Sequence, residues 1–131
     1  KREGRRMLAA EGRIALIWNS RVEDGPIVRE EGNIHRLYCP RFYGFSGGLA
    51  DLTDRLGEFF DHRFRVFRFP NDLSYTRDQY LRRMMSASYA LTEKDEGHSP
   101  WLDALNGLFD RFETGGRVTV PNETVVYLGA C

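Results

Sequence analysis

The chain has 131 residues, a length that suits a single domain built around one core. Its 19 Lys and Arg residues balance its 19 Asp and Glu residues, so no excess charge predicts nucleic acid or an anionic membrane as a partner. The apolar runs fall far short of the roughly 20 residues that a membrane-spanning helix needs, and the two cysteines, Cys39 and Cys131, have neither metal nor redox spacing. We therefore expect a cytoplasmic protein with free thiols and no membrane partner.

The first clear element is the apolar run Ile-Ala-Leu-Ile-Trp at residues 14–18. A strand covered on both faces reads as continuous apolar sequence, so this run predicts an interior strand of a mostly parallel sheet. Residues 5–10 before it look like the end of a helix, and Gly12 suits the turn between the two. Ligands of open α/β sheets bind beyond the carboxyl ends of the strands, which here means at residues 18–21.

Helices and strands then alternate along the chain. Pro26 predicts the first turn of a helix that runs to about Tyr38, and apolar residues at helical spacing predict another over residues 49–60. Residues 64–69 predict a strand with apolar side chains on both faces, which indicates either a bulge near Val66 or cover on both sides. Residues 71–72 either turn the chain or let that strand continue through Leu73 and Tyr75.

The last third of the chain has strong local signals. Thr76 and Gln79 have the spacing of a capping box, which predicts a helix start, and Ser99-Pro100 predicts the start of the next helix, which ends at residues 115–116. A long β segment over residues 118–128 is interrupted by Pro121, which marks an edge, a bulge or a hairpin turn. Together these elements predict an α/β fold with a sheet of three to four strands.

Three motifs point to other chemistry. Residues 44–48 match the G-x-S-x-G pattern of serine hydrolases, but no strand precedes Ser46, so a flexible aromatic loop is the preferred interpretation. His35 and Cys39 lie four residues apart but lack a third metal ligand, so we expect a surface histidine, a half-buried thiol and no metal site. Six arginines could form a basic patch for nucleic acid: Arg63, Arg65, Arg68, Arg77, Arg82 and Arg83. Nearby aspartates reduce its positive charge, so a solvated face is the preferred interpretation.

Several segments resemble one family in the correct order. Residues 5–8 and 12–21 resemble the fifth strand of class I S-adenosylmethionine-dependent methyltransferases and its approach, although Ala10-Glu11 stands where the family usually has proline or lysine and then glycine. The Trp-Asn-x-Arg ending at residues 18–21 is similar to a small-molecule subgroup that includes the trans-aconitate type. The Ser-Ala-Ser-Tyr sequence at residues 86–89 resembles an element of the same subgroup, and residues 118–121 with 123–128 resemble its final antiparallel strand.

This resemblance implies that residues 1–131 form a single domain, the C-terminal portion of a methyltransferase that lacks the N-terminal cofactor-binding half. The implied fold is a partial doubly wound, Rossmann-like sheet with one parallel pair, an antiparallel C-terminal strand and helices on both faces. No Gly-rich loop follows a strand, so S-adenosylmethionine, the cofactor of the parent enzyme, is not expected to bind this segment alone. The segment alone is expected to be inactive.

The resemblance also implies an acceptor site for a small molecule. In it, Trp18 supplies an apolar wall, Asn19 a two-way hydrogen bond, and Arg21 or the serines a contact to a carboxylate or hydroxyl group. No catalytic residue is assigned. The implied substrate-binding residues are Trp18, Asn19, Arg21, Ser86, Ser88 and Tyr89.

An alternative is a non-catalytic α/β module that descends from such an enzyme and acts by self-association. If the strand at residues 14–18 lacks a neighbour on one side, its unpaired backbone is a template for another chain. We therefore also expect a homo-oligomer that forms through this exposed strand edge. A small hydrolase that uses Ser46 is the third and weakest alternative.

Overall fold

The computed structural model of this chain describes residues 2–45 and 52–130. Within them no helix has the length and apolar character to cross a membrane. The helices and strands, in chain order, are α1 (Arg2–Met7), β1 (Ile14–Arg21), α2 (Pro26–Tyr38), α3 (Leu52–Phe59), β2 (Phe64–Pro70), β3 (Leu73–Thr76), α4 (Arg77–Met85), α5 (His98–Phe112), β4 (Arg117–Val120) and β5 (Asn122–Gly129).

The chain divides into two compact units. The first unit draws on Lys1–Ser20, Leu49–Asn71 and Glu123–Cys131, and the second on Arg21–Gly48 and Asp72–Asn122. A three-stranded sheet belongs mainly to the first unit, and a two-stranded sheet of β3 and β4 belongs to the second. The predicted α/β class is therefore confirmed.

The three-stranded sheet has the order β1-β5-β2. β5 is antiparallel to β2, in a continuous register from Phe64 opposite Gly129 to Pro70 opposite Glu123. The bulge considered near Val66 is therefore wrong. The two strand pairs with a described register, β2–β5 and β3–β4, are both antiparallel, so the predicted parallel pair is not among them.

The interior position predicted for β1 is not found. β1 lies at the edge of the sheet among the described residues, and its exposure alternates along the strand. The side chains of Ala15 and Asn19 are exposed, and that of Ile17 is 60% exposed, whereas Trp18 stacks on Tyr127 at 4.8 Å between ring centroids. Every second side chain of the apolar run at residues 14–18 is thus exposed.

Aromatic rings hold the first unit together. Phe60 is fully buried and stacks on Phe64 at 5.4 Å, and Phe64 in turn contacts Tyr127 at 6.0 Å. Gly129 makes this close packing possible, because a Cβ atom there would lie 2.6 Å from Phe60 Cδ1 and 2.7 Å from the carbonyl oxygen of Arg63. A larger residue at position 129 would therefore require both the Phe60 ring and the backbone at Arg63 to shift.

The second unit contains the larger hydrophobic core. Helix α5 contacts both α2 and α4, and β4 covers the same core through its alternating pattern, with Val118 and Val120 buried while Arg117 and Thr119 are exposed. Each large apolar side chain removed from water contributes about 1.5–3 kcal/mol. The largest fully buried apolar side chains of this core are Tyr80, Met84, Trp101, Leu105, Leu108 and Phe109.

Local sequence signals explain several element boundaries. α2 starts at Pro26 and ends at Tyr38, as predicted. α5 begins one residue before the predicted Ser99-Pro100 start, and Gly115 and Gly116, with φ values of 60° and 76°, make the turn that follows it. Pro121 separates β4 from β5, so the predicted long β segment is divided between two sheets at the proline.

The capping box of α4 provides a first testable prediction. Thr76 Oγ1 accepts a hydrogen bond from the Gln79 backbone N–H, and the Thr76 backbone N–H donates to the Gln79 side chain. Thr76→Ala removes one of these bonds and is expected to lower the free energy of unfolding by about 1 kcal/mol in urea titrations. Thr76→Ser keeps the hydroxyl and is the matched control. Equal stability of the two variants would contradict the capping role.

Candidate functional site

A cavity of about 530 Å³ opens in the second unit. Three separate segments line it: the end of β1, the loop after α2, and the last turn of α4 with the residues that follow it. Its wall combines three guanidinium groups with serine and tyrosine hydroxyls, and none of its lining residues is acidic. The lining residues are Arg21, Arg41, Tyr43, Gly44, Arg83, Ser86, Ala87, Ser88 and Tyr89.

The end of α4 brings the two serines and the tyrosine to this cavity. Ser86 caps the helix, and its hydroxyl donates to the Arg83 carbonyl oxygen at 2.8 Å. A further turn follows, in which the Ala90 backbone N–H donates to the Ala87 carbonyl oxygen at 3.0 Å. Arg41 Nη2 donates to the Ala90 carbonyl oxygen at 3.0 Å, so the loop after α2 is fastened to the same turn.

Arg21 is the most constrained of the three arginines. Its side chain is only 17% exposed, and its Nη2 lies 3.1 Å from Glu31 Oε1. The guanidinium also lies over the ring of Phe45, at 4.3 Å from the ring centroid, which is the geometry of a cation–π contact. Its Nε atom is buried and has no hydrogen-bond partner in the described part of the chain.

Glu31 lies on α2 and is fully buried. Its Oε2 accepts a hydrogen bond from the Tyr80 hydroxyl at 3.3 Å. Burial raises the pKa of Glu31, and the positive charges of Arg21 and Arg83 oppose that rise. Burial and the neighbouring Glu31 raise the pKa of Tyr80 as well, so this hydroxyl keeps its proton and stays a donor.

His35 lies one helical turn beyond Glu31 and is also fully buried. Its Nδ1 accepts a hydrogen bond from Trp101 Nε1 at 3.2 Å, so the neutral ring carries its proton on Nε2, which is buried and has no partner among the described residues. Burial, with a smaller contribution from the charge of Arg21, lowers the pKa of His35 to about 4. Phe42 and Tyr89 flank the ring at 5.2 and 4.9 Å.

The expectation of a surface histidine and a half-buried thiol was therefore wrong. His35 on α2 and Cys39, which caps the end of that helix, are both buried against the core of the second unit. Burial raises the pKa of the Cys39 thiol. Across residues 2–45 and 52–130, no three His, Cys, Asp or Glu side chains are grouped so that they could hold a metal ion.

Four of the six predicted acceptor residues line the cavity: Arg21, Ser86, Ser88 and Tyr89. The other two belong to the first unit and make contacts there. Trp18 stacks on Tyr127, and Asn19 Oδ1 accepts hydrogen bonds from Thr124 Oγ1 at 2.8 Å and from Asn71 Nδ2 at 3.2 Å. Ser46, the candidate hydrolase nucleophile, lies outside the described residues.

Sequence reasoning missed Arg41, Arg83, Glu31 and Tyr80. Arg83 was grouped with a solvated basic face, three members of which do form ion pairs with carboxylates: Arg68 with Glu123, Arg77 with Asp110, and Arg82 with Asp78. A signal for Glu31 was nevertheless available, since its spacing from Val28 and His35 places it on the buried stripe of α2. A carboxylate on an apolar stripe predicts a buried partner of opposite charge.

Comparisons with protein-family models, with curated proteins and with solved structures find no match to this chain. The chemistry of the cavity is therefore assigned from its own residues. Guanidinium groups form paired, charge-assisted hydrogen bonds to carboxylate and similar anions, and hydroxyls add single donors and acceptors. An anion with further polar groups is the ligand that this wall suits.

The buried imidazole of His35 leads to a pH prediction. The pKa of a histidine is near 6.5 in the unfolded chain and about 4 for His35 in the native one, so only the unfolded state gains a proton as the pH falls between these values. The stability that this difference provides is complete above the unfolded pKa and is lost as the pH approaches 4, in total about 3 kcal/mol. The raised pKa of Glu31 acts in the opposite direction.

The measurement is urea unfolding at several pH values, with His35→Gln as the variant, because glutamine keeps an acceptor for Trp101 Nε1. The free energy of unfolding of the unmodified protein should fall more steeply on acidification than that of His35→Gln. His98→Gln, in which a half-buried imidazole is lost, is the matched control. Parallel pH profiles of the unmodified protein and His35→Gln would refute the assignment.

Proposed function

We propose that this chain is the C-terminal, acceptor-binding part of a class I S-adenosylmethionine-dependent methyltransferase, and that the arginine-lined cavity holds an anionic small-molecule acceptor. One observation carries the proposal. Arg21 and residues 86–89, which lie far apart in sequence and which the family resemblance assigns to the acceptor, line the same cavity.

The strand order also supports this proposal. The resemblance implies a final strand that runs antiparallel to its neighbour, and β5 is antiparallel to β2 and lies between β1 and β2. The doubly wound sheet, with further strands beyond β1, is part of the proposal. It would account for the apolar run of β1, since the exposed Ala15 and Ile17 side chains would be covered by the cofactor-binding half.

The cavity does not suit the cofactor itself. S-adenosylmethionine has a net positive charge, since its sulfonium and ammonium groups outweigh its one carboxylate, and carboxylates are the groups that recognise ribose hydroxyls in nucleotide-binding sheets. The lining residues include three guanidinium groups and no carboxylate, so their charge would repel the sulfonium. We therefore assign the cavity to the acceptor alone.

In this proposal the residues of the cavity bind the methyl acceptor and orient it. Arg21 and Arg83 would hold an anionic group of the acceptor through charge-assisted hydrogen bonds, and Arg41 would add positive charge at the rim. The hydroxyls of Ser86, Ser88 and Tyr89 would fix the rest of the molecule. Burial raises the pKa of Tyr89, so that this residue stays a neutral hydrogen-bonding group.

The test is methyl transfer by the complete reading frame to which this segment belongs. With labelled S-adenosylmethionine and a panel of small carboxylic acids, we expect transfer to at least one acid and none to its neutral ester. Arg21→Ala should lower kcat/KM for that acid by about 100-fold, because it removes the partner of a desolvated anion. The matched control is Arg36→Ala, an exposed arginine of α2 outside the lining of the cavity.

Two results would contradict the enzymatic proposal. One is a reading frame without an upstream strand and Gly-x-Gly loop. The other is equal activity of Arg21→Ala and Arg36→Ala. Micromolar binding of S-adenosylmethionine by the 131-residue chain in a calorimetric titration would contradict the assignment of the cavity to the acceptor alone.

Self-association is the second candidate function, and the edge position of β1 favours it. Within the described residues β5 is the only strand paired with β1, and an unpaired edge is a template for a second copy of the chain.

In sedimentation velocity runs we expect a dimer, which Ile17→Lys should dissociate because a lysine on an edge strand opposes pairing. Leu37→Lys places the same charge at an exposed leucine of α2 and should leave the dimer intact. A monomer at high concentration would rule out this function.

A further inference from the structure

We propose that Glu31, supported by Tyr80, is a positioning residue that holds the guanidinium of Arg21 at the cavity wall in the orientation that meets an anion. This inference rests on the acceptor site proposed above and adds the residues that give the site its geometry. Neither Glu31 nor Tyr80 lines the cavity, so both would act through Arg21.

The two oxygens of Glu31 have different partners. Oε1 lies 3.1 Å from Arg21 Nη2, at the end of β1, in an ion pair that lacks hydrogen-bond alignment, and Oε2 accepts from the Tyr80 hydroxyl on α4 at 3.3 Å. The backbone of α2 fixes the base of the Glu31 side chain. One carboxylate is therefore held from two sides, and it restrains Arg21 from a position that solvent does not reach.

The guanidinium of Arg21 is contacted on its planar face as well as at Nη2. The guanidinium carbon lies 4.3 Å from the centroid of the Phe45 ring, so the ring covers one face of the group while Glu31 contacts it at Nη2. A free arginine side chain loses rotamer entropy on binding, and a side chain that is already restrained loses less. The restraint therefore favours binding without adding a contact to the ligand.

Two unpaired donors point to the same ligand chemistry. Arg21 Nε and Arg83 Nη1 are buried and have no hydrogen-bond partner in the described part of the chain, the same holds for the acceptor Glu31 Oε1, and both arginines line the cavity. A buried donor without a partner lowers stability, and an anion bound within reach of these donors would supply the missing acceptor. The ligand class is therefore an oxyanion that accepts from two guanidinium groups.

Positioning and simple charge balance predict opposite effects of losing the Glu31 charge. If Glu31 only neutralised part of the positive charge, Glu31→Gln would make the cavity more positive and would tighten anion binding. If Glu31 positions Arg21, the same substitution frees the guanidinium and weakens binding. The sign of the change in affinity therefore distinguishes the two roles.

The experiment titrates inorganic sulfate, whose charge is constant around neutral pH, into the 131-residue chain and follows the arginine Nε–Hε resonances by NMR. Sulfate should shift the Arg21 and Arg83 signals, and Arg21→Ala should abolish binding. Glu31→Gln should weaken binding by about tenfold and Tyr80→Phe by about threefold. Glu30→Gln changes the same charge at the neighbouring exposed residue, which pairs with Arg111, and should leave the affinity unchanged.

The outcomes separate this inference from the proposed site. Sulfate binding that is unchanged or tighter in Glu31→Gln, while Arg21→Ala abolishes it, would overturn the positioning role and leave the site intact. Failure of the unmodified chain to bind sulfate at Arg21 would overturn the anion site and the inference with it. If Glu31→Gln does not fold, Tyr80→Phe decides: unchanged affinity and an unchanged ¹⁵N relaxation of Arg21 Nε would overturn the role.

Discussion

The buried pair of Arg21 and Glu31 is the constraint on which the candidate site depends. A carboxylate without solvent access is tolerated only when a positive charge and further hydrogen bonds compensate for its lost hydration. Arg21 provides the charge, and the Tyr80 hydroxyl provides the hydrogen bond. Since three segments of the second unit must meet for this compensation, the pair fixes the end of β1 and α4 with respect to α2.

The surroundings of this pair are aromatic rather than polar. Phe42, Phe45, Tyr89 and Trp101 all have ring centroids within 6.2 Å of the His35 ring, and Phe45 also covers the face of Arg21. Aromatic rings exclude water, so charges beside them interact more strongly than they would in solvent. Arg21 and Tyr89 thus connect the cationic wall of the cavity to the aromatic core of the second unit.

The features that sequence predicted well are those with local causes. The capping box at Thr76, the start of α2 at Pro26 and the interruption at Pro121 each depend on residues within a few positions of one another. Glu31 and Tyr80 were missed because their contact joins residues 49 positions apart, and neither residue type indicates the other in sequence. The apolar run of β1 led to a wrong prediction for a different reason. Such a sequence shows that both faces of the strand can be buried, but it does not show which elements of the structure bury them. Ser86, Ser88 and Tyr89 came only from the family resemblance.

The position of β5 between β1 and β2 also constrains how the protein is made. The two outer strands leave the ribosome long before the strand that joins them, so neither gains its backbone partners until residues 122–129 have been synthesised. Contacts between residues this distant in sequence form slowly, and strands that are still unpaired are prone to aggregate. The second unit has its main helices and β3–β4 complete by residue 120, so it can assemble first during translation.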